Sequence, residues 1–456
     1  MKILHTADWH LGQILYQDYD RIDEHEHFIQ QLEHWCRIEN PDAVLVSGDI
    51  FDIQMPSAAA KERFVKWVLR IKDSCKDMQV VITAGNHDSA SRLQAESEVW
   101  KRSGVTVIGS GPATELLSAK DGTWEDHYVV ELTSGYIVAL PYMSGNRKGL
   151  LQHLLDYVAE HNTEGKPVVM MGHLPVNGMD STGHHFVGKV DSVSVSDMGN
   201  GFDYLALGHI HRPQTIGSNN DINAERGCEE SIYPSPVIRY SGSALHVDAD
   251  ENYPHSISIV EMEHHGGDVR VKRMRINEKL HFYDLPKDGE FKSTGEVLDG
   301  VKRFATETKA GYFRIKVDYA VNLPSDINEQ IRKVIGDNDM VRFNPKIHWE
   351  GEPEKTELSQ KTKFQVAEIQ QMKDPLEFVK KTIEQYKNLD RSTLDNDFAM
   401  IKKEIEDERK RIEEAETKKT KQKKAKEEIA SEMPSEEDNL TENNHIANRK
   451  HQKHED

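Results

Sequence analysis

Ala43-Val44-Leu45-Val46-Ser47-Gly48-Asp49 is an apolar run that stops abruptly at a glycine and a carboxylate. A short apolar run closed by a turn residue reads as a buried strand. Here a metal-type ligand follows at once. The same arrangement recurs four times. Lys2–Thr6 leads to Asp8-Trp9-His10, and 80–83 leads to Gly85-Asn86-His87-Asp88. Run 168–171 leads to Gly172-His173, and 204–207 leads to Gly208-His209-Ile210-His211. Between the first three runs lie amphipathic stretches at 24–38 and 58–71, whose spacing predicts helices. Strand–helix–strand alternation of this kind predicts an α/β fold.

In open α/β sheets, sites form beyond the C-terminal ends of the strands. Residues two apart on an extended chain point the same way, so Asp8 with His10, and His209 with His211, can each face one point. The glycines of the last four motifs permit a sharp exit from the strand and close backbone approach. Carboxylate, amide oxygen and imidazole together suit Mn²⁺ and similar borderline metals, with Mg²⁺ less favoured. Asp8, His10, Asp49, Asn86, His173, His209 and His211 suffice for two ions with one carboxylate bridging. Two such ions are the usual clamp for phosphoryl chemistry. His87 is then free of the metals and is the candidate general acid or transition-state stabiliser. A lone Asp-x-His is common by chance, Gly-Asn-His-Asp alone is an ordinary turn, and one histidine after a strand is ordinarily a core residue. It is the ordered recurrence of all five, each after an apolar run, that points to a metal site.

The chain has 456 residues, 30% charged and 37% hydrophobic, a length that suggests two or three domains. Its opening apolar run is short and soon broken by Asp8 and His10, unlike a secretory signal. No stretch approaches the ~20 apolar residues of a membrane span. Cys36, Cys75 and Cys228 are scattered and odd in number, which argues against a disulfide framework and makes the cytoplasm the expected compartment. The net charge is −20, of which residues 351–456 carry −4. A broad basic footprint for nucleic acid is absent. A polyanionic substrate would need bound cations, local basic patches or a partner to hold it.

Further along, 128–132 and 136–140 flank Thr-Ser-Gly, and 257–263 and 269–275 flank His-Gly-Gly. Both read as hairpins and predict a second, more antiparallel sheet beside the first. A smaller unit at about 280–350 shows strand-like 312–319, helix-like 325–335 and strand-like 340–349. Gly351-Glu-Pro-Glu reads as a linker. Asp374-Pro375-Leu376-Glu377 is a helix start, and Met372, Leu376, Val379, Ile383 and Tyr386 recur at helical spacing. Leu394, Phe398, Ile401, Ile405 and Ile412 repeat it, so two short amphipathic helices are expected. From Lys418 the chain is low-complexity Lys/Glu, read as solvated or disordered.

Thr6-Ala-Asp-Trp-His-Leu-Gly12, Ser47-Gly-Asp-Ile-Phe-Asp52, Ala84-Gly-Asn-His-Asp88 and Phe202-Asp-Tyr-Leu-Ala-Leu-Gly-His-Ile-His-Arg-Pro-Gln214 together resemble the calcineurin-like metallophosphoesterases. Within that superfamily they are similar to the SbcD family of nuclease subunits. The resemblance covers about residues 1–350 and extends more loosely to about 415. It implies a β-sandwich flanked by helices, in four αββα layers, with a small α+β capping domain and a C-terminal helical hairpin. The implied domains are 1–278 for the nuclease, 279–351 for the cap, 362–415 for partner binding and 416–456 for a charged tail. It implies that Asp8, His10 and His211 hold one Mn²⁺, that Asn86, His173 and His209 hold the other, that Asp49 bridges and that His87 assists cleavage. It also implies an SbcC-type ATPase partner, a homodimer within a heterotetramer, and Mn²⁺-dependent 3′→5′ exonuclease activity on double-stranded DNA with endonuclease activity on single strands and hairpins. That activity would serve DNA repair and recombination. Some relatives carry a histidine where this chain has Phe51-Asp52, so Asp88 is a candidate partner for His87. His184 and His185 sit in a Gly-rich loop and read as solvent-exposed.

Two other readings compete. Phosphatases and cyclic-nucleotide phosphodiesterases share the superfamily. The protein phosphatases, however, continue the second motif as Asp-x-x-Asp-Arg-Gly, whereas Asp49-Ile-Phe-Asp52 is followed here by Ile-Gln. A non-enzymatic scaffold for the ATPase would not need every ligand that this chain retains.

Overall fold

All five runs are strands in the computed structural model: Lys2–Thr6, Ala43–Ser47, Gln79–Thr83, Val168–His173 and Tyr204–Gly208. The structure describes residues 1–111, 124–143, 148–182, 192–218, 228–308 and 310–350. The expected helical pair at 362–415, the tail at 416–456 and the loop bearing His184 and His185 lie outside the described residues.

The first three runs lie side by side and parallel, with Leu4 opposite Val44 and Val44 opposite Val80. Their side chains alternate between two cores. Ile3, Leu45 and Val81 face the second sheet, where they join Val169, Met171 and Leu205. Leu4, Val44, Val46, Val80 and Ile82 face the helices, where they join Phe28, Leu32 and Phe64. Burial on both faces is what a near-continuous apolar strand requires. The helices that cover the sheet are Ile22–Glu39 and Ala58–Ser74. The first carries Asp23 and Glu24 in its first turn and ends at Asn40 in the left-handed conformation. The second is capped by Ser57, whose hydroxyl accepts from Ala60 N at 3.1 Å.

The second sheet runs Gln214–Thr215, Val237–Tyr240, Tyr204–Gly208, Val168–His173, Gly135–Ala139 and Val129–Leu132. The helix Lys148–His161 packs on it through Leu151, Leu154 and Val158. The layers are therefore helix, sheet, sheet, helix. Two buried polar contacts cross between the sheets: His5 Nδ1 to Tyr204 Oη at 2.9 Å, and Ser47 Oγ donating to Ala206 O at 3.0 Å.

One expectation is corrected here. The second sheet is parallel at its centre, and the hairpin Ser256–Met262/Asp268–Arg275 does not join it. It extends the first sheet antiparallel to Lys2–Thr6, with Leu4 opposite Ile259. The free edge of that strand needed a partner for its amides, and the amide of Met262 also closes onto Met1 O at 3.0 Å.

The residues at 280–350 form a third sheet with its own small core of Val297, Val301, Phe313, Ile315 and Phe343. It has more elements than the strand–helix–strand expected. The strand Phe282–Leu285 and the helix Thr294–Glu307 precede Gly311–Asp318, and Ile327–Ile335 follows. The strand-like stretch 340–349 is two short strands, Val341–Phe343 and His348–Glu350. Between them Asn344 N donates to Phe313 O at 2.8 Å, and Pro345 has no N–H to continue the ladder. Tyr312 Oη donates to buried Glu24 Oε1 at 2.7 Å, tying this sheet to the first helix. Among the described residues no helix is long and apolar enough to cross a membrane.

The His5 contact makes stability depend on pH. Its ring is fully buried and Nε2 has no hydrogen-bond partner. Burial, helped by the Arg239 guanidinium, pulls its pKa down from about 6.5 to about 3. The unfolded chain therefore binds one more proton in that window. Stability is full above about 6.5 and falls as pH drops toward 3, by an amount on the order of a few kcal/mol. Urea unfolding in chelator between pH 7 and pH 4 is expected to show this loss, and His5→Gln is expected to reduce the slope by one proton.

Candidate metal centre

Each predicted residue lies at or just past the C-terminal end of one of the five strands, and the two sheets bring those ends together. Glycine makes the approach possible. A Cβ on Gly208 would sit 1.9 Å from Ser47 O, one on Gly85 would sit 2.1 Å from Asp49 Oδ1, and one on Gly48 would sit 2.2 Å from His173 Nδ1. No side chain fits at these points. Asp8, His10, Asp49 and His209 themselves have φ of 51°, 48°, 48° and 95°, in the left-handed region that non-glycine residues seldom adopt. Such conformations persist where the surroundings over-determine them.

Two groups of donors result. Asp8, His10 and His211 offer ligand atoms that all lie within 4.8 Å of one another, as do Asp8, Asp49 and His173. His173 Nε2 is 3.0 Å from Asn86 Oδ1 and 3.3 Å from Asp49 Oδ2, and His209 Nδ1 is 2.9 Å from the same Asn86 oxygen. All seven predicted ligands are thus assembled. His173 Nδ1 donates to Ser47 O at 2.8 Å, which leaves Nε2 facing the carboxylate. His211 Nδ1 donates to Glu251 Oε1 at 2.6 Å, which likewise turns its Nε2 toward the cluster. His10 is 2% exposed, and neither of its ring nitrogens makes a hydrogen bond. Asp52 Oδ1 lies 3.3 Å from its Nδ1, out of hydrogen-bonding alignment. A buried imidazole with both nitrogens unsatisfied, among carboxylates, fits a divalent cation.

The electrostatics agree. Burial raises the Asp8 carboxyl to about 7, against the opposing pull of His173 and His10. Burial lowers His10 and His173, but the Asp49, Asp8 and Asp52 carboxylates outweigh it and lift both to about 9. Without a cation, protons fill that role.

His87 stands apart from the ligands. Its side chain is exposed, its amide donates to Asp49 Oδ1 at 2.8 Å, and its Nδ1 donates to Asp52 O at 2.7 Å. Asp88 is not its partner, contrary to expectation. The buried Asp88 carboxylate accepts from Gly85 N at 2.8 Å, Phe51 N at 2.9 Å and Ile50 N at 3.0 Å. Sequence reasoning also missed Glu251, which is 1% exposed. It lies in the polar run Asp248-Ala-Asp-Glu251, which carries no local signature of a site.

The first 213 residues match the family described as calcineurin-like phosphoesterase. The chain is 30% identical over 277 residues to the D subunit of the SbcCD nuclease of Escherichia coli (strain K12), covering 55% of this chain and 62% of that one. It is 27% identical to the corresponding protein of Rhodobacter capsulatus, over 67% of this chain and 76% of that one. The protein of the same name from Staphylococcus saprophyticus is 27% identical over 77% and 88%. Among solved structures, a dimetal phosphatase from Danio rerio aligns with 61% of this chain and 99% of that one, at 13% identity and a TM-score of 0.33. Residues 1–213 are a calcineurin-like phosphoesterase domain, in a chain similar over more than half its length to the D subunits of SbcCD nucleases.

Proposed function

We propose that this chain is a metal-dependent phosphodiesterase that cuts DNA as the nuclease subunit of a complex with an SbcC-type ATPase. The observation that carries the reading is the convergence of seven buried or half-buried ligands beside one exposed histidine. Asp8, His10 and His211 would hold one ion and Asn86, His173 and His209 the other, with Asp49 shared. The mixture of imidazole, carboxylate and amide oxygen favours Mn²⁺. When bound, such ions neutralise phosphate oxygens and acidify a water.

The chain's own residues supply orientation and a proton. The Asp52 carbonyl can only accept, so His87 Nδ1 keeps its hydrogen and Nε2 faces outward. Protonated there, His87 delivers a proton to the departing sugar oxygen. Its backbone bond to Asp49 keeps that proton a fixed distance from the shared carboxylate. DNA as the substrate is supported by the names of the relatives, as are the ATPase partner and the 3′→5′ exonuclease and hairpin endonuclease activities. The net charge of −20 means that the isolated chain holds DNA weakly without metal or partner.

Two experiments test this. With Mn²⁺, plasmid and hairpin DNA are expected to be cut, and His87→Ala to slow cleavage by ~10²–10⁴-fold with metal stoichiometry unchanged. Turnover of a small aryl phosphate alone would instead mark a phosphatase. Metal binding is also expected to release protons. His10 and His173 titrate near 9 without metal and must be neutral to ligate, so release is greatest near pH 7 and fades above pH 9. Calorimetry in two buffers of different ionisation enthalpy measures it, and a null difference at pH 7 would contradict it.

A further inference from the structure

Residues 242–255 link the strand Val237–Tyr240 to Ser256–Met262, and they touch both the metal-type cluster and the third sheet. On the cluster side, Ser243 N donates to His211 O at 3.0 Å and Ala244 N to Asp8 O at 3.2 Å. Glu251 Oε1 takes the Nδ1–H of His211 at 2.6 Å. On the other side, the Asp250 carboxylate pairs with Arg314, whose Nε donates to Asp284 Oδ1 at 2.5 Å. Arg314 and Asp284 lie on adjacent strands of the third sheet. The ring of His246 also stacks on Phe282 of that sheet, with centroids 4.9 Å apart.

Asp250 and Glu251 are consecutive. One is fastened to the third sheet and the other to a predicted metal ligand. The loop between them and His246 is braced from within, because Val247 N donates to Glu251 Oε2 at 3.0 Å and His255 Nε2 lies 3.4 Å from the same oxygen. Glu251 and His255 are essentially inaccessible to solvent. A displacement of Arg314 that pulls Asp250 therefore has little slack to absorb it before Glu251 moves. Carboxylates behind ligating histidines fix the tautomer and ring orientation, and losing one typically costs 10–100-fold in metal affinity.

We propose that Glu251 is a positioning residue for His211, and that the third sheet sets its position through the neighbouring Asp250–Arg314 pair. Whatever engages the third sheet then tunes the affinity of the Asp8–His10–His211 site for its ion. The inference rests on the reading that this cluster holds a metal.

The test is calorimetric titration of the chelator-stripped full chain with Mn²⁺ alone, without DNA. Wild type is expected to take two ions. Glu251→Gln is expected to weaken one of them by ~10–100-fold and spare the other. Arg314→Ala, although it touches none of the seven ligands, is expected to weaken the same ion by roughly 5-fold or more, and Arg314→Lys to restore most of that loss. Should Arg314→Ala fail to fold, Asp250→Asn is expected to show the same selective loss. Wild-type affinity for both ions in Arg314→Ala and Asp250→Asn would overturn the coupling, and two unchanged sites in Glu251→Gln would overturn the positioning role. A wild-type chain that takes no Mn²⁺ removes the metal reading, and this inference with it. Binding by wild type with indifferent variants removes the inference alone.

Discussion

The two sheets meet at their C-terminal ends more closely than any side chain allows. Ser47 O lies where a Cβ on Gly208 would be, and Asp49 lies where a Cβ on Gly85 would be. This steric condition comes before the chemistry. It brings ligands from five strands and two sheets to one place, and it holds Asp8, His10, Asp49 and His209 in a backbone region that such residues otherwise avoid. The apolar strands, buried on both faces, hold the sheets at that separation.

Crowding of this kind has an electrostatic cost. Buried carboxylates and imidazoles face one another with few other partners, and the ring of His10 makes no hydrogen bond. The arrangement is sound only with positive charge inside it. At low pH protons can supply that charge, and a divalent cation supplies it better because it can face several lone pairs at once. The same burial that makes the site avid leaves one functional group at the surface, His87, so the acid and the ligands work in different environments.

Much of this was legible in the residues because the site is built from strand ends. An apolar run followed by a ligand is a local pattern, and it located all seven ligands and the strands that carry them. Pairings between distant segments had no such pattern. Nothing near Ser256–Met262 tells which sheet its hairpin will join, since that depends on which edge is left open. Glu251 looks like one more acid in a polar loop until the fold sets it behind His211. Asp88 looked like a partner for the histidine beside it, yet three backbone amides had already claimed its oxygens. The helix Thr294–Glu307 did have a signal, in its Ser293 cap and the spacing of Val297, Val301 and Phe304, but glycines at 295 and 300 weakened the pattern.

That use of Asp88 has a mechanical meaning. Its carboxylate spans the turn at 85–88 and the turn at 49–51 with three bonds, and so joins two loops from separate strands into a single rigid plate. His87 and Asp49 ride on the same plate. Breathing of the surrounding helices can carry the plate as a whole, but it cannot change the spacing between the proton carrier and the carboxylate it works beside. The tolerance of the reaction to motion elsewhere in the molecule is therefore set by a side chain that touches neither ion nor substrate.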